Sequence, residues 1–187
     1  MSCLQEILEY NKGFVSRKAY EPFQTTKFPN KKLIILTCMD TRLGEMLPKA
    51  MNLQNGDAKI VKTAGAVVSH AFGSIMRSIL LAIYELDAAE ICVVSHYDCG
   101  MNGLQAEKII EKAISRGISN ETVRTLQKAR IGLNEWLTGF SCPEESVAHS
   151  VRQIREHPLF PADVPVHGLI IDPETGRLHV VVDGGTC

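Results

Sequence analysis

The feature that most limits the possible folds of this sequence is a short apolar run that ends in reactive side chains. Leu-Ile-Ile-Leu-Thr occupies residues 33–37, and Cys38, Asp40 and Arg42 come directly after it. A run of this length, rich in branched apolar residues, is typical of a buried strand. The sequence therefore predicts a buried strand that delivers a thiol, a carboxylate and a guanidinium at its carboxyl end.

A second stretch of the chain repeats this pattern. Ile-Cys-Val-Val-Ser at residues 91–95 is again a short apolar run, and it ends in His96 and Cys99. Thiol and imidazole groups are soft metal ligands. Two buried strands with such ligands at their carboxyl ends predict one shared site.

Strand-like runs alternate with helical patterns along the chain, which predicts an α/β fold with a mostly parallel sheet. The four core strands are predicted at residues 33–37, 58–62, 91–95 and 166–171. A turn signal at residues 172–176 precedes residues 178–182, which are predicted to add an antiparallel edge strand. Helices are predicted on both faces of the sheet, at residues 43–51, 72–86, 107–116 and 121–137 and from Cys142 onward.

The chain of 187 residues is long enough for one domain with a sizeable core. We predict a single domain over residues 1–187, with an N-terminal helical arm at 1–30 and an α/β core at 31–187. Within the arm, we expect one helix that stops near Gly13 and another over residues 15–20. The narrow apolar stripe of the arm favours packing on a partner subunit, and the alternative is packing over its own domain.

Composition excludes several classes of partner. The formal net charge of -1 gives no bulk field for nucleic acid or an anionic membrane. No apolar run approaches the roughly 20 residues that a membrane span needs. The N-terminus lacks the basic start and apolar middle of a signal peptide, so we expect a cytoplasmic protein. Six cysteines in such a chain indicate metal ligands and free thiols rather than a disulfide framework.

The predicted topology gathers three residues at one edge of the sheet. Open parallel sheets bind ligands beyond the carboxyl ends of their strands, and Cys38, Gly65 and His96 each follow a predicted strand. With Cys99, the two thiolates and one imidazole form a suitable zinc set, and three protein ligands leave the open position of a catalytic zinc. The other cysteines lie inside a strand or in remote segments, at Cys3, Cys92, Cys142 and Cys187.

Asp40 and Arg42 stand two and four residues after the first ligand. Alternate residues after a strand tend to point the same way, so Cys38, Asp40 and Arg42 are expected on one side. Arg42 can clamp Asp40 and hold it ionised. Asp40 would then accept a hydrogen bond at the metal or bind the metal itself. The simpler alternative for the pair is a surface ion pair or the capping of a turn.

These motifs together resemble the β-class carbonic anhydrases. The resemblance rests on Cys-x-Asp-x-Arg at residues 38–42, paired with His-x-x-Cys at residues 96–99 and separated from it by an Ala-Gly turn and a helix. The form His-Tyr-Asp-Cys-Gly-Met at 96–101 is similar to the small, archaeal-type subgroup. The resemblance covers most of the chain, from the first strand to the final hairpin.

The resemblance implies a zinc lyase that interconverts CO2 and bicarbonate by way of a zinc-bound hydroxide. Carried over by position, the zinc ligands are Cys38, His96 and Cys99. Asp40 and Arg42 form the catalytic dyad, and the backbone N–H of Gly65 binds a substrate oxygen. The family also implies a homodimer or a higher homo-oligomer.

The sequence departs from the family pattern at Lys62-Thr63, where many members have Arg-Asn. This change leaves the backbone role of Gly65 intact, and it leaves open which polar contacts the side chains of these two positions make. The proton route is open as well, with His70 beside the Ala-Gly turn and Tyr97 and Asp98 beside the ligands as candidates.

Two other functions remain as alternatives to CO2 hydration. The same scaffold can hydrolyse a related linear substrate, such as carbon disulfide or carbonyl sulfide, and access to the pocket would separate these activities. The other alternative is a zinc-binding regulatory protein without turnover. Asp40 and Arg42 argue against it, because metal storage has no evident need for them.

Overall fold

The structure is a computed structural model, and it describes residues 2–129 and 131–185. Within these residues, five strands form one sheet in the order β2-β1-β3-β4-β5. The strands are β1 (Leu33–Cys38), β2 (Ala58–Thr63), β3 (Glu90–His96), β4 (Val166–Ile171) and β5 (Leu178–Val182). The first four pair in parallel, and β5 runs antiparallel to β4. The predicted sheet, with its antiparallel edge strand, is confirmed.

Helices cover both faces of this sheet, as predicted. They are α1 (Cys3–Ser16), α2 (Leu43–Ala50), α3 (Ser74–Leu86), α4 (Ala106–Ser115), α5 (Asn120–Lys128), α6 (Leu133–Leu137) and α7 (Pro143–Arg155). Buried side chains of α3 and α7 pack on one face, and Leu43 and Leu47 of α2 pack on the other. A short 3-10 turn at Ala64–Ala66 follows β2.

Strand β1 is an interior strand of the sheet and is buried along its whole length. All six of its residues are buried, with Ile34 and Leu36 facing α3 and α7 and Leu33 and Ile35 facing α2. Each such side chain stabilises the fold by about 1.5–3 kcal/mol when fully buried. Burial on both faces explains why the sequence of β1 is a continuous apolar run rather than an alternating one.

The structure corrects two of the helix predictions. In the arm, α1 continues through Gly13 to Ser16, so residues 15–20 do not form a second helix. Ser2 starts α1 with a reciprocal cap, since its Oγ accepts the N–H of Gln5 and its own N–H donates to the Gln5 side chain. An interior glycine costs only about 1 kcal/mol, which the rest of the helix offsets.

The second correction concerns residues 121–137, which were predicted as one helix capped by Asn120. Two helices occupy this stretch, α5 and α6, and the cap of α5 is Ser119, whose Oγ accepts the N–H of Thr122. Gly132, with a φ of 62°, precedes α6 in a left-handed conformation that a continuous helix excludes. Arg130 lies outside the described residues.

The arm contributes no buried side chain from α1. Leu4, Ile7 and Leu8 keep 63%, 58% and 53% of their surface exposed, so the apolar stripe of the arm is uncovered. Across the described residues, no helix has the length and apolar character needed to cross a membrane. Met1, at the start of the predicted arm, and Cys187, one of the six cysteines, lie outside the described residues.

Candidate metal centre

Three predicted metal ligands meet at the carboxyl edge of the sheet. Cys38 is the last residue of β1, His96 is the last residue of β3, and Cys99 follows three residues later. All three side chains are buried, and their ligand atoms lie within 4.8 Å of one another. The two sulfur atoms are 3.9 Å apart. The cluster forms because β1 and β3 are parallel neighbours and therefore end at the same edge.

His96 is fully buried, and only one of its ring nitrogens is satisfied. Its Nδ1–H donates to the Tyr97 carbonyl at 2.7 Å, which makes Nε2 the unprotonated nitrogen. Among the described residues, Nε2 has no hydrogen-bond partner. A buried polar atom without a partner is costly, unless a ligand satisfies it.

Cys38 is more acidic than an ordinary thiol. Burial acts to raise its pKa, but the neighbouring His96 imidazole and hydrogen bonds from the backbone N–H groups of Asp40 and Gly65 outweigh burial and lower the pKa to about 7. Burial raises the pKa of Cys99 to about 11, and the neighbouring Cys38 adds to the rise. Cys38 is thus the more readily ionised of the two thiols, and a cation between the two sulfur atoms would favour the loss of both protons.

These residues fit a zinc ion. Two thiols and an imidazole nitrogen with a free lone pair are the donor types that zinc prefers, and three protein ligands are the number found in catalytic zinc sites. The unsatisfied Nε2 of His96 is the observation that decides this fit, because the chain itself offers no other partner for it within the described residues. Its Nδ1 contact with Tyr97 orients the ring as an outer hydrogen bond does in known metal sites.

Asp40 and Arg42 form a two-pronged ion pair beside this cluster. Arg42 donates from Nε to Asp40 Oδ1 at 3.1 Å and from Nη2 to Oδ2 at 2.9 Å, and its backbone N–H donates to Oδ1 at 2.9 Å. The side-chain hydrogen bonds from Arg42 lower the pKa of Asp40 to about 2. Asp40 Oδ2 lies 3.7 Å from His96 Nε2. An ionised carboxylate therefore stands next to the open side of the cluster.

Gly65 lies against Cys38, and its N–H donates to Cys38 Sγ at 3.4 Å. The residue has a φ of 72°, which favours glycine. A Cβ at this position would come within 2.9 Å of the Phe140 ring and 3.1 Å of the Met101 side chain. The predicted contact of this N–H with a substrate oxygen stays a prediction, since sulfur is its partner in this structure.

A cavity of about 1200 Å³ adjoins this edge of the sheet. Met101 and Phe140, which pack over Gly65, form part of its wall, together with Thr63. His70, a candidate for the proton route, also lines this cavity, and this residue is exposed. The metal ligands themselves do not line the cavity, whereas Met101 and Phe140 line it and also pack against the buried residues that include Cys38 and Cys99.

Sequence reasoning missed two features of this site. It placed Asp98 near the ligands without finding that Asp98 pairs with Arg42, from which it is 56 residues away. It also missed Phe140, which reaches Gly65 from the loop after α6. In the sequence, only the small residues beside Gly65 indicated that another group packs closely against it. No pattern near Phe140 indicated its contact with Gly65.

The chain is similar in sequence to proteins named as carbonic anhydrases and, at lower identity, to a carbon disulfide hydrolase. The sequence profile of the carbonic anhydrase family matches residues 33–178. "Putative carbonic anhydrase YvdA" of Bacillus subtilis (strain 168) is 62% identical over 184 residues, covering 98% of this chain and 93% of that protein. A carbon disulfide hydrolase of Acidianus sp. (strain A1-3) is 34% identical, over 80% of this chain and 77% of that protein.

Among solved structures, β-carbonic anhydrase isoform I of Trichomonas vaginalis superimposes with a TM-score of 0.90. It is 32% identical in sequence, and the match covers 99% of this chain and 100% of that chain. The fold of this chain is therefore similar over its whole length to that of a solved β-carbonic anhydrase.

Proposed function

Because this chain belongs to the carbonic anhydrase family, in its β class, we propose that it catalyses the reversible hydration of CO2 to bicarbonate and a proton, with zinc as its metal. The observation that carries the proposal is the pairing of a metal cluster with a clamped carboxylate. Asp40 Oδ2 lies 3.7 Å from the one ligand nitrogen that lacks a partner within the described residues. A site that only stored metal would gain nothing from that carboxylate.

Cys38, His96 and Cys99 would hold the zinc ion. When bound there, zinc supplies a Lewis acid that lowers the pKa of water and so makes a nucleophile available at neutral pH. The buried position of the three ligands keeps bulk water away from the cluster and strengthens electrostatic interactions inside it.

Asp40 orients the attacking water in this proposal. With a pKa of about 2, its carboxylate stays ionised and is too weak a base to keep a proton near neutral pH. Oδ2 therefore acts as a hydrogen-bond acceptor that aligns an O–H, and the proton released in hydration leaves to the buffer. Arg42 keeps Oδ2 in place through its Nη2 contact.

Gly65 remains our candidate for substrate binding. Its N–H forms a long contact with sulfur, 3.4 Å, at the wall shared with Met101 and Phe140. These two apolar side chains suit a small uncharged gas on its way from the cavity. The hydration product is an anion, for which a backbone N–H is a suitable donor.

The finer assignments belong to the same proposal. The uncovered stripe of α1 supports a homodimer or a higher homo-oligomer, because exposed apolar surface of this kind is typical of an interface. Buried free thiols, among them Cys38, Cys92 and Cys99, support a reducing compartment such as the cytoplasm. The form of residues 96–101 supports the small, archaeal-type subgroup, and we take residues 1–187 as one domain with an arm at 1–30.

The test is stopped-flow CO2 hydration with a pH indicator, on protein whose zinc content has been measured. We expect turnover well above the buffer rate, and no comparable hydrolysis of carbon disulfide or carbonyl sulfide by the same sample. Zinc-loaded protein that hydrolyses the sulfur compounds but leaves CO2 at the buffer rate would contradict the proposal. Full zinc occupancy without turnover of any of the three would favour a regulatory role.

A further inference from the structure

Arg42 is held at two edges of its guanidinium, and the proposed dyad with Asp40 accounts for only one of them. Nε and Nη2 donate to Asp40 along one edge. At the other edge, Nη1 donates to Asp98 Oδ2 at 2.9 Å, and Nη2 donates to the Asp98 carbonyl oxygen at 2.9 Å. The hydrogen bonds to Asp40 and then those to Asp98 raise the pKa of Arg42 above its usual range.

Asp98 presents both acceptors because of its backbone. Its φ of 52° places it in the left-handed region, which aspartate tolerates better than most residues. The side chain is 86% exposed, so an isolated pair at this position would contribute little. The pair is not isolated, however, because Asp40 already fixes the guanidinium that Asp98 meets.

We propose that Asp98 is a positioning residue, which holds Arg42 at its second edge and thereby fixes the Asp40 carboxylate relative to the metal ligands. The contact ties the segment after Cys38 to the segment between His96 and Cys99. Without it, Arg42 would follow any movement of Asp40. The kinetic part of this inference rests on the proposed function, whereas the contact itself does not.

The first test compares Asp98→Asn with a matched control, Asp87→Asn. Asp87 has a similar φ of 61°, is exposed, and pairs with Lys32 at 2.7 Å, far from the ligands in the sheet. For Asp98→Asn we expect kcat to fall about threefold to tenfold, as the loss of one charge-assisted contact implies, with KM and zinc content unchanged. Asp87→Asn should leave kcat unchanged. Equal losses in both variants, or loss of zinc from Asp98→Asn, would overturn the proposal.

A double-mutant cycle separates action through Arg42 from a general effect on the loop. In an Arg42→Gln background, Asp98→Asn should cause no further loss of kcat, because the group that Asp98 holds is already gone. If Asp98→Asn lowers kcat by the same factor in both backgrounds, Asp98 does not act through Arg42 and the proposal fails.

A third readout does not depend on turnover. In zinc-loaded protein, the side-chain N–H groups of Arg42 should exchange with solvent faster in Asp98→Asn than in the wild type or in Asp87→Asn, as measured by NMR. Unchanged exchange would overturn the proposal even if CO2 hydration is confirmed. Faster exchange in Asp98→Asn, together with a wild-type protein that fails to hydrate CO2, would support the positioning contact and contradict the proposed function alone.

Discussion

The two edges of the sheet carry similar residue types and use them in opposite ways. At the carboxyl edge, His96 is fully buried and has no partner for Nε2 among the described residues. At the amino edge, His167 of β4 has partners at both nitrogens, since Nδ1 accepts the N–H of Gly184 at 3.1 Å and Nε2 lies 3.3 Å from Glu90 Oε1. A histidine satisfied by its own chain is structural, whereas one left unsatisfied beside two thiols is suited to a cation.

The largest expected effect comes from replacing each of these two histidines with glutamine in a separate variant. His96→Gln should lose zinc and reduce CO2 hydration by about 1000-fold or more, because the Lewis acid is lost with its ligand. His167→Gln should keep zinc and change the rate by less than about twofold, because its contacts are with partly exposed acidic groups. Metal analysis and stopped-flow rates measure both, and equal losses in the two variants would remove the distinction between the edges.

The next effect concerns the carboxylates at the two edges. Asp40→Asn should keep zinc but reduce kcat by about 100-fold, since an uncharged amide aligns water poorly beside Arg42. Asp183→Asn is the matched control, because Asp183 lies 3.4 Å from a histidine nitrogen, as Asp40 does at 3.7 Å. A zinc-loaded Asp40→Asn variant with the wild-type rate would show that the Asp40 carboxylate does not contribute to catalysis.

A smaller effect tests how tightly the carboxyl edge is built around Gly65. Gly65→Ala should destabilise the fold by about 1–3 kcal/mol through overpacking against Phe140, in addition to the cost of its positive φ. Gly103→Ala isolates that second cost, because Gly103 has a φ of 69° and nothing within 4 Å of its added Cβ. Urea unfolding of both variants gives the difference between their free energies of unfolding. Equal destabilisation would mean that the Phe140 ring moves aside at no cost when a Cβ is added at Gly65.

The smallest effect is the pH dependence of the Asp40–Arg42 pair. Because the pKa of Asp40 is lowered to about 2 in the fold, the pair stabilises the protein fully above the unfolded value, roughly 4, and loses this contribution as pH falls through 2. In metal-free protein, the urea midpoint of the wild type should exceed that of Arg42→Gln by the same margin at pH 7 and pH 5. The margin should shrink only below pH 4. A margin that already shrinks between pH 7 and pH 5 would contradict the clamp.

The sheet was predictable because its information is local. Buried strands such as β1 and β4 are short apolar runs, and their predicted bounds agree with the structure to within one residue. The meeting of Cys38 and His96 at one edge followed from topology alone, since parallel neighbouring strands end together.

The rest depended on contacts between distant parts of the chain or on the balance of weak preferences. The pairing of Arg42 with Asp98 joins two loops whose geometry no local pattern reveals. The helix through Gly13 and the break at Gly132 show opposite outcomes for glycine in a helical pattern, and only the backbone conformation decides between them.

The central claim is that the carboxyl edge of this sheet is a zinc site, and X-ray absorption at the zinc edge, combined with metal analysis, tests it most directly. We expect one zinc ion per chain, with two sulfur ligands and one imidazole ligand from the protein, lost in His96→Gln and retained in His167→Gln. Full zinc retention in His96→Gln, or a zinc environment without sulfur in the wild type, would contradict the account.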